Sequence, residues 1–351
     1  SCGVSPNDRV KWQLMAVGKR APSVPDNHEE LLKELERRMG QTHAHLRLGL
    51  ERDHEAWVFG QGRALFNIEN WYSLHALMRT AFRVSGFYAR GQRNAARVVV
   101  KENTITSQRL PSHFDGFTIL QLSDLHVETS AEALASAASA IDTLDYDICV
   151  LTGDFRSLTY GPHEAAMEGL EKLLRHVQKP TYAVLGNHDT ILMVPELERM
   201  GVRVLLNEAD AIPRGTSGEP IFIAGVDDAH YFRADNLEKA SSVIPAASFS
   251  VLLSHTPELY RQAANAEFDV MLSGHTHGGQ VCLPGGVALK FNAVIPRRLG
   301  AGAWQHNGLQ GYTSRGLGTC IAAVRFNCPP EITLHRLRPR RGTLVRAIPQ
   351  T

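Results

Sequence analysis

Cysteine is scarce: there are five in 351 residues (Cys2, Cys149, Cys282, Cys320, Cys328), odd in number and with no close pair. That excludes a disulfide framework and a thiolate metal cluster, and isolated thiols fit a reducing compartment, so the expected location is cytoplasmic. Long apolar runs are also missing. None approaches the ~20 residues needed to cross a bilayer, since 117–122 and 148–151 soon give way to polar residues. Neither sign of charge dominates: 37 Lys and Arg stand against 36 Asp and Glu, a net of +1, which rules out a polyelectrolyte. No phosphate-binding G-x-x-x-x-G-K-[ST], dinucleotide G-x-G-x-x-G or nucleophile-elbow G-x-S-x-G occurs, so ATP-driven, hydride-transfer and serine-hydrolase chemistry have no support. The chain begins with Ser, and processing or trimming of the N-terminus is expected.

The neutral total hides an asymmetry. Residues 1–115 carry 17 basic against 12 acidic side chains, and the remainder 20 against 24. The expected organisation is a basic, helical N-terminal appendage over 1–115, a catalytic domain over 116–338 and a basic tail over 339–351. In the appendage, Asn27 followed by Leu31, Leu32, Leu35 and Met39, with Gly40 as a stop, predicts a capped helix. A second helix is predicted over 68–96, with Trp71, Leu74, Met78, Phe82 and Tyr88 on one side and Arg79, Arg83, Arg90 and Arg97 on another. Such a face suits either the interface of an anionic membrane or packing against the catalytic domain.

From Phe117 onward, short β-rich runs alternate with helical ones. Strands are predicted at 117–123, 147–152, 181–185, 202–206, 220–226, 249–254, 268–273, 310–314, 321–326 and 331–337, and helices at 131–144 and 163–177. Alternation of this kind predicts an α/β domain of packed sheets with outer helices.

Polar clusters fall where predicted strands end: Asp124 and His126, Gly153-Asp154, Gly186-Asn187-His188-Asp189, His255, and Gly274-His275-Thr276-His277. Ligands bind beyond the carboxyl ends of strands in such sheets, so all five clusters can share one cleft. Carboxylate, imidazole and carboxamide suit Mn, Fe or Zn. In extended chain, residues i and i+2 point to one side, which brings Asp124 and His126 to one ion. Asp124, His126, Asp154, Asn187, His255, His275 and His277 are too many donors for one tetrahedral ion. A two-metal site is the natural count, and Asp154 on its tight turn is the best bridge.

The order D-x-H, G-D, G-N-H-D, lone His, G-H-T-H resembles the calcineurin-like metallophosphoesterase superfamily. Residues 274–280, 314–319 and 328–332 look like its bacterial phosphodiesterase-like subgroup, which includes some UDP-2,3-diacylglucosamine hydrolases of lipid A synthesis. The resemblance covers 117–337. It implies a four-layer αββα sandwich and two divalent ions, manganese foremost with iron or zinc as alternatives. Asp124, His126 and His277 would hold the first ion, Asn187, His255 and His275 the second, and Asp154 would bridge. His188 would act on the substrate rather than ligate, with Asp189 orienting its ring. The reaction expected is phosphodiester or diphosphate hydrolysis by a metal-activated hydroxide. The substrate is then a nucleotide-linked lipid such as UDP-2,3-diacylglucosamine, met at the inner membrane face. A nuclease or cyclic-nucleotide phosphodiesterase, and a non-catalytic scaffold, are the competing readings.

Other residues carry open readings. Arg156 either holds a substrate phosphate or makes a rim salt bridge. Asp227 and Asp228 either touch substrate or support the neighbouring loops, and Asn207 reads as a strand-end turn residue. His43-x-His45 reads as helix surface, because i and i+2 diverge around a helix axis. Gly278 and Gly279 are expected to shape the turn that carries His275 and His277.

Overall fold

A strand that is apolar at every position shows no face to water and needs cover on both sides. The computed structural model, which describes residues 28–60, 80, 82–216, 218–320 and 322–340, arranges this chain as α1 (His28–Met39), α2 (Gln41–Gly60), α3 (Tyr88–Ala95), β1 (Val99–Ser107), β2 (Thr118–Leu122), α4 (Ala131–Ile141), β3 (Ile148–Thr152), α5 (Glu164–Leu174), β4 (Thr181–Val184), α6 (Val194–Arg199) and β5 (Val202–Val204). There follow β6 (Glu208–Ile212), β7 (Ile221–Gly225), α7 (Leu237–Ser241), β8 (Ser250–Leu253), α8 (Tyr260–Asn265), β9 (Val270–Ser273), β10 (Cys282–Leu283), β11 (Val287–Ala288), β12 (Gly302–His306), β13 (Leu309–Thr313) and β14 (Glu331–Pro339).

Two six-stranded sheets result, in the orders β1-β14-β2-β3-β4-β5 and β12-β13-β9-β8-β7-β6. Strands β2 to β5 run parallel, as do β13, β9, β8 and β7. Ile119 and Val150 meet Ile223, Val251 and Leu272 between the sheets. Their neighbours Leu120 and Leu151 point the other way, onto Ala137, Ile141, Met167 and Leu170 of α4 and α5. Ala224, Leu252 and Met271 similarly meet Ala240 and Ala263 of α7 and α8. The four αββα layers follow, with each large buried side chain contributing roughly 1.5–3 kcal/mol.

Residues on the two sides of the expected 115/116 boundary pack together. β1 pairs in parallel with β14 over nine residues, Val99↔Glu331 to Ser107↔Pro339. Leu35, Met39, Ala44 and Leu48 of α1 and α2 lie in the same core as Leu120 and Leu151. Arg38 donates to Glu198 and Glu208, both at 2.7 Å. Gly40, at φ 89°, ends α1 as expected.

Three further expectations change. Within 80–96 the helix is not continuous, because Ser85 and Gly86, the latter at φ 74°, make a turn before α3. The rest of the 68–96 prediction, including Trp71, Leu74, Met78 and Arg79, lies outside the described residues. The strand predicted over 321–326 reduces, among its described residues, to a single bridge between Val281 and Phe326. Of the 339–351 tail, Pro339 completes β14 and Arg340 N–H donates to Ser107 O at 2.8 Å; residues 341–351 lie outside the described residues.

Candidate metal centre

Every predicted polar cluster sits just past the carboxyl end of a strand, at one rim of the two sheets. The local backbone there is costly. Asp124, His126, Asp154, His275 and His277 all adopt positive φ, between 38° and 67°. Positive φ is uncommon for non-glycine residues, least so for Asn, Asp and His, and such conformations cluster at functional sites. The Asp154 turn also requires Gly186 opposite, where a Cβ would lie 2.2 Å from Asp154 Oδ1.

The rim gathers two donor sets. Asp124, His126, Asp154 and His277 bring one ligand atom each within 4.8 Å of one another, and Asp154, His255 and His275 form a second such set. Asp154 belongs to both. Its Oδ2 lies 3.8 Å from His126 Nε2 and 3.2 Å from His255 Nε2. Asn187 Oδ1 joins the second set, 3.1 Å from His255 Nε2.

Hydrogen bonds behind the rings fix which nitrogen faces inward. His126 Nδ1 donates to Arg156 O at 2.8 Å, His255 Nδ1 to Thr152 O at 2.7 Å, and His275 Nε2 to Asn292 O at 2.6 Å. A carbonyl can only accept, so each neutral ring turns a lone pair to the centre. His255 Nε2 and His275 Nδ1 then face each other at 3.2 Å. Two lone pairs at that distance call for a proton or a cation between them, and the donor set fits a divalent ion.

Without a metal cation the electrostatics are strained. Burial, reinforced by the neighbouring Asp154 charge, lifts Asp124 to about 7. Burial works against the charged form of His255, yet the Asp154 carboxylate overrides it and lifts this imidazole to about 10. Burial and the nearby His255 lower His275 to about 3, and burial lowers His126 to about 4 against the pull of Asp154.

His188 stands beside the two sets rather than in them, with Nε2 4.0 Å from Asp154 Oδ2 and its side chain 16% exposed. Its Nδ1 meets Thr159 Oγ1 at 2.9 Å. The expectation that Asp189 orients this ring therefore gives way. The Asp189 carboxylate instead accepts from the N–H groups of Asp154, Phe155 and Gly186 at 2.8–2.9 Å, pinning the Gly-Asp turn to the Asn187 loop. Thr159 carried no motif that could have singled it out.

Arg156 also changes role. It is 3% exposed, and its three nitrogens donate to the carbonyls of His188, Gly161 and Thr159. A guanidinium so engaged clamps the loop that carries His188. Asp227 and Asp228 take the supporting role. Asp228 accepts from the N–H groups of His230, Tyr231 and Phe232, while Asp227 is bonded to His43 and Arg47 of α2. Asn207 does more than end a strand, since it accepts from the N–H groups of Asp227 and Asn236. Of the His43-x-His45 pair, expected on the helix surface, only His45 lies there, paired with Glu36; His43 turns inward to Asp227. Gly278 and Gly279, at φ 59° and 84°, shape the His277 turn.

A family model described as calcineurin-like phosphoesterase matches residues 117–279. The uncharacterized metallophosphoesterase YkuE of Bacillus subtilis is 32% identical over 250 residues, covering 68% of this chain and 84% of the relative. A second B. subtilis relative, the uncharacterized metallophosphoesterase YkoQ, is 30% identical over 68% of this chain and 90% of its own. The phosphodiesterase YaeI of Escherichia coli is 30% identical over 63% of this chain and 82% of its own. Agreement over this length, on top of five motifs folded to one rim, places the chain in the calcineurin-like phosphoesterase family of metal-dependent phosphoester hydrolases.

Proposed function

We propose that the rim holds two divalent ions, manganese foremost, and that the chain hydrolyses phosphodiesters or diphosphates there. Asp124, His126 and His277 would hold one ion, Asn187, His255 and His275 the other, and Asp154 would bridge. The observation that carries this reading is the Asp154 carboxylate, the one group common to both donor sets. When bound, the two ions supply Lewis acidity toward the phosphoryl oxygens and activate water for in-line attack. The protein's own part is positional. His188, held at Nδ1 by Thr159, presents Nε2 beside the centre, where it hydrogen-bonds a phosphoryl oxygen or protonates the departing oxygen.

The substrate we favour is a nucleotide-linked lipid, of the kind represented by UDP-2,3-diacylglucosamine, taken at an anionic membrane surface. Leu283, Val287, Leu289 and Val294 are exposed on the segment whose Asn292 carbonyl holds His275. No Asp or Glu occurs from 270 to 330, where five Lys and Arg do. Aliphatic tips on a carboxylate-free stretch beside the cleft suit an acyl chain among anionic headgroups. Among the described residues no helix is long and apolar enough to cross a membrane. The test is incubation with Mn²⁺ and UDP-2,3-diacylglucosamine, with bis(p-nitrophenyl) phosphate in parallel. Release of UMP supports the lipid substrate. Turnover of the aryl diester without UMP release removes that substrate and keeps the hydrolase, and metal stoichiometry below one per chain after native purification removes the dinuclear centre.

A further inference from the structure

We infer that Arg47, on helix α2 outside the 117–279 match, is a positioning residue that sets the Asn187–His188 loop against the metal-binding rim. His43, Arg47 and Glu51 are spaced by four and so share one helix face. That face is turned inward. Arg47 is 0% exposed, and its guanidinium reaches two loops at once. Nη2 donates to Asp189 O at 3.1 Å and Nε to Asp227 Oδ1 at 3.3 Å, while the Phe232 ring lies 3.5 Å away. Glu51 pairs with Arg47 Nη1 at 2.8 Å and accepts from Ile191 N–H at 3.0 Å and from the Thr190 hydroxyl. His43 Nε2 bonds the other Asp227 oxygen at 2.9 Å.

The grip falls where it matters for the centre. Asp189 and Thr190 directly follow Asn187 and His188, so α2 holds the far side of the turn that presents both. The Asp189 carboxylate carries the constraint on to the N–H groups of Asp154 and Phe155. On the opposite side, Asp227 leads into Asp228, which fixes the N–H groups of residues 230–232, and the His230 ring packs 4.2 Å from that of His275. One guanidinium thus joins the loops on both flanks of the rim. Its planar fork is what spans two acceptors at a fixed angle; an ammonium keeps the charge without that geometry. A displacement of about 1 Å at a reacting group costs on the order of 10²-fold in rate.

This inference rests on the proposed role of His188, and the experiment separates the two. Arg47→Lys, Glu51→Gln and His188→Ala are compared with the unmodified protein at saturating Mn²⁺ on p-nitrophenyl and phenyl phosphodiesters, with metal content and melting temperature measured in parallel. Arg47→Lys is expected to keep its metal and to lose about 10- to 100-fold in kcat with little change in KM. The loss is expected to be steeper for phenolate, the poorer leaving group, in the same sense as for His188→Ala. Glu51→Gln is expected to show a smaller loss of the same kind, and it decides the matter if Arg47→Lys does not fold. Unchanged kcat on both esters in a folded, metal-loaded Arg47→Lys overturns the inference, as does a loss equal for both esters alongside a leaving-group-dependent His188→Ala. If His188→Ala is itself indifferent to the leaving group, the acid role of His188 fails. A loss in kcat for metal-loaded Arg47→Lys would then still support positioning, and unchanged kcat would still refute it.

Discussion

Asp154 is the residue on which the two donor sets converge, and its replacement separates them from every other substitution at the rim. Asp154→Ala is expected to lose both ions and all activity, read by metal analysis on the purified variant; two ions retained per chain would show that Asp154 is not the shared donor. His188→Ala is expected to keep both ions and to slow turnover by about 10²–10⁴-fold, the usual loss when acid–base assistance is removed. Loss of metal in that variant would make His188 a ligand. At this scale the sequence was most informative about donors. Aspartate, histidine and asparagine at strand ends can be seen without coordinates, and the fold brings all seven to one rim. The supporting residues could not be read. Asp189 was linked to His188 because they are adjacent, yet a residue's neighbour along a turn points elsewhere, and its carboxylate found the N–H groups of the next loop. The orienting hydroxyl of Thr159 comes from 29 positions away.

Elements were legible in proportion to how simply they are buried. β2, β3, β4, β8 and β9 are short apolar runs, buried at every position, and fall within the predicted strands. β1 was missed because Lys101, Glu102 and Thr104 show it as polar, and its parallel partner β14 lies more than 200 residues away. α2 was legible only as a helix around His43 and His45, without bounds: its buried side sets Arg47 beside Ala44 and Leu48, with His43 and Glu51 half-buried, so the apolar period that marks a helix is interrupted by charge. That polar seam has a pH signature. Burial acts to raise the Asp227 carboxyl, but Arg47 and His43 hold it below its ordinary value. A depressed folded value means that its stabilising contribution is complete above about pH 3.9, the unfolded value, and is lost as pH falls through the folded one. Asp227→Asn is therefore expected to lower stability by about 1.5–3 kcal/mol at pH 7, since the Arg47 charge keeps Glu51 but loses its Asp227 partner. Thermal melts from pH 7 down to pH 3 should show the gap between Asp227→Asn and the unmodified protein closing only at the acid end. A constant gap would mean that Asp227 contributes through shape rather than charge.

Across the whole molecule, the helices that the sequence set apart as an appendage pack against the outer face of the first sheet. Leu35, Met39 and Leu48 fill the outer core of the first sheet, and each contributes roughly 1.5–3 kcal/mol. Native domains are stable by only about 5–15 kcal/mol, so removing these side chains together with Arg38 and Arg47 takes away a large share of the margin. A chain beginning at Arg97 keeps β1 and every candidate ligand but leaves the Asp227 carboxylate without Arg47 and His43. It is expected to melt well below the full chain and to bind its second ion weakly, because the loop presenting Asn187 loses its outer hold. Calorimetry and metal titration on the two chains check this together. A truncated chain that melts within a few degrees of the full one and holds two ions as tightly would show that the metallophosphoesterase domain is complete from β1 onward and that α1 and α2 merely rest upon it.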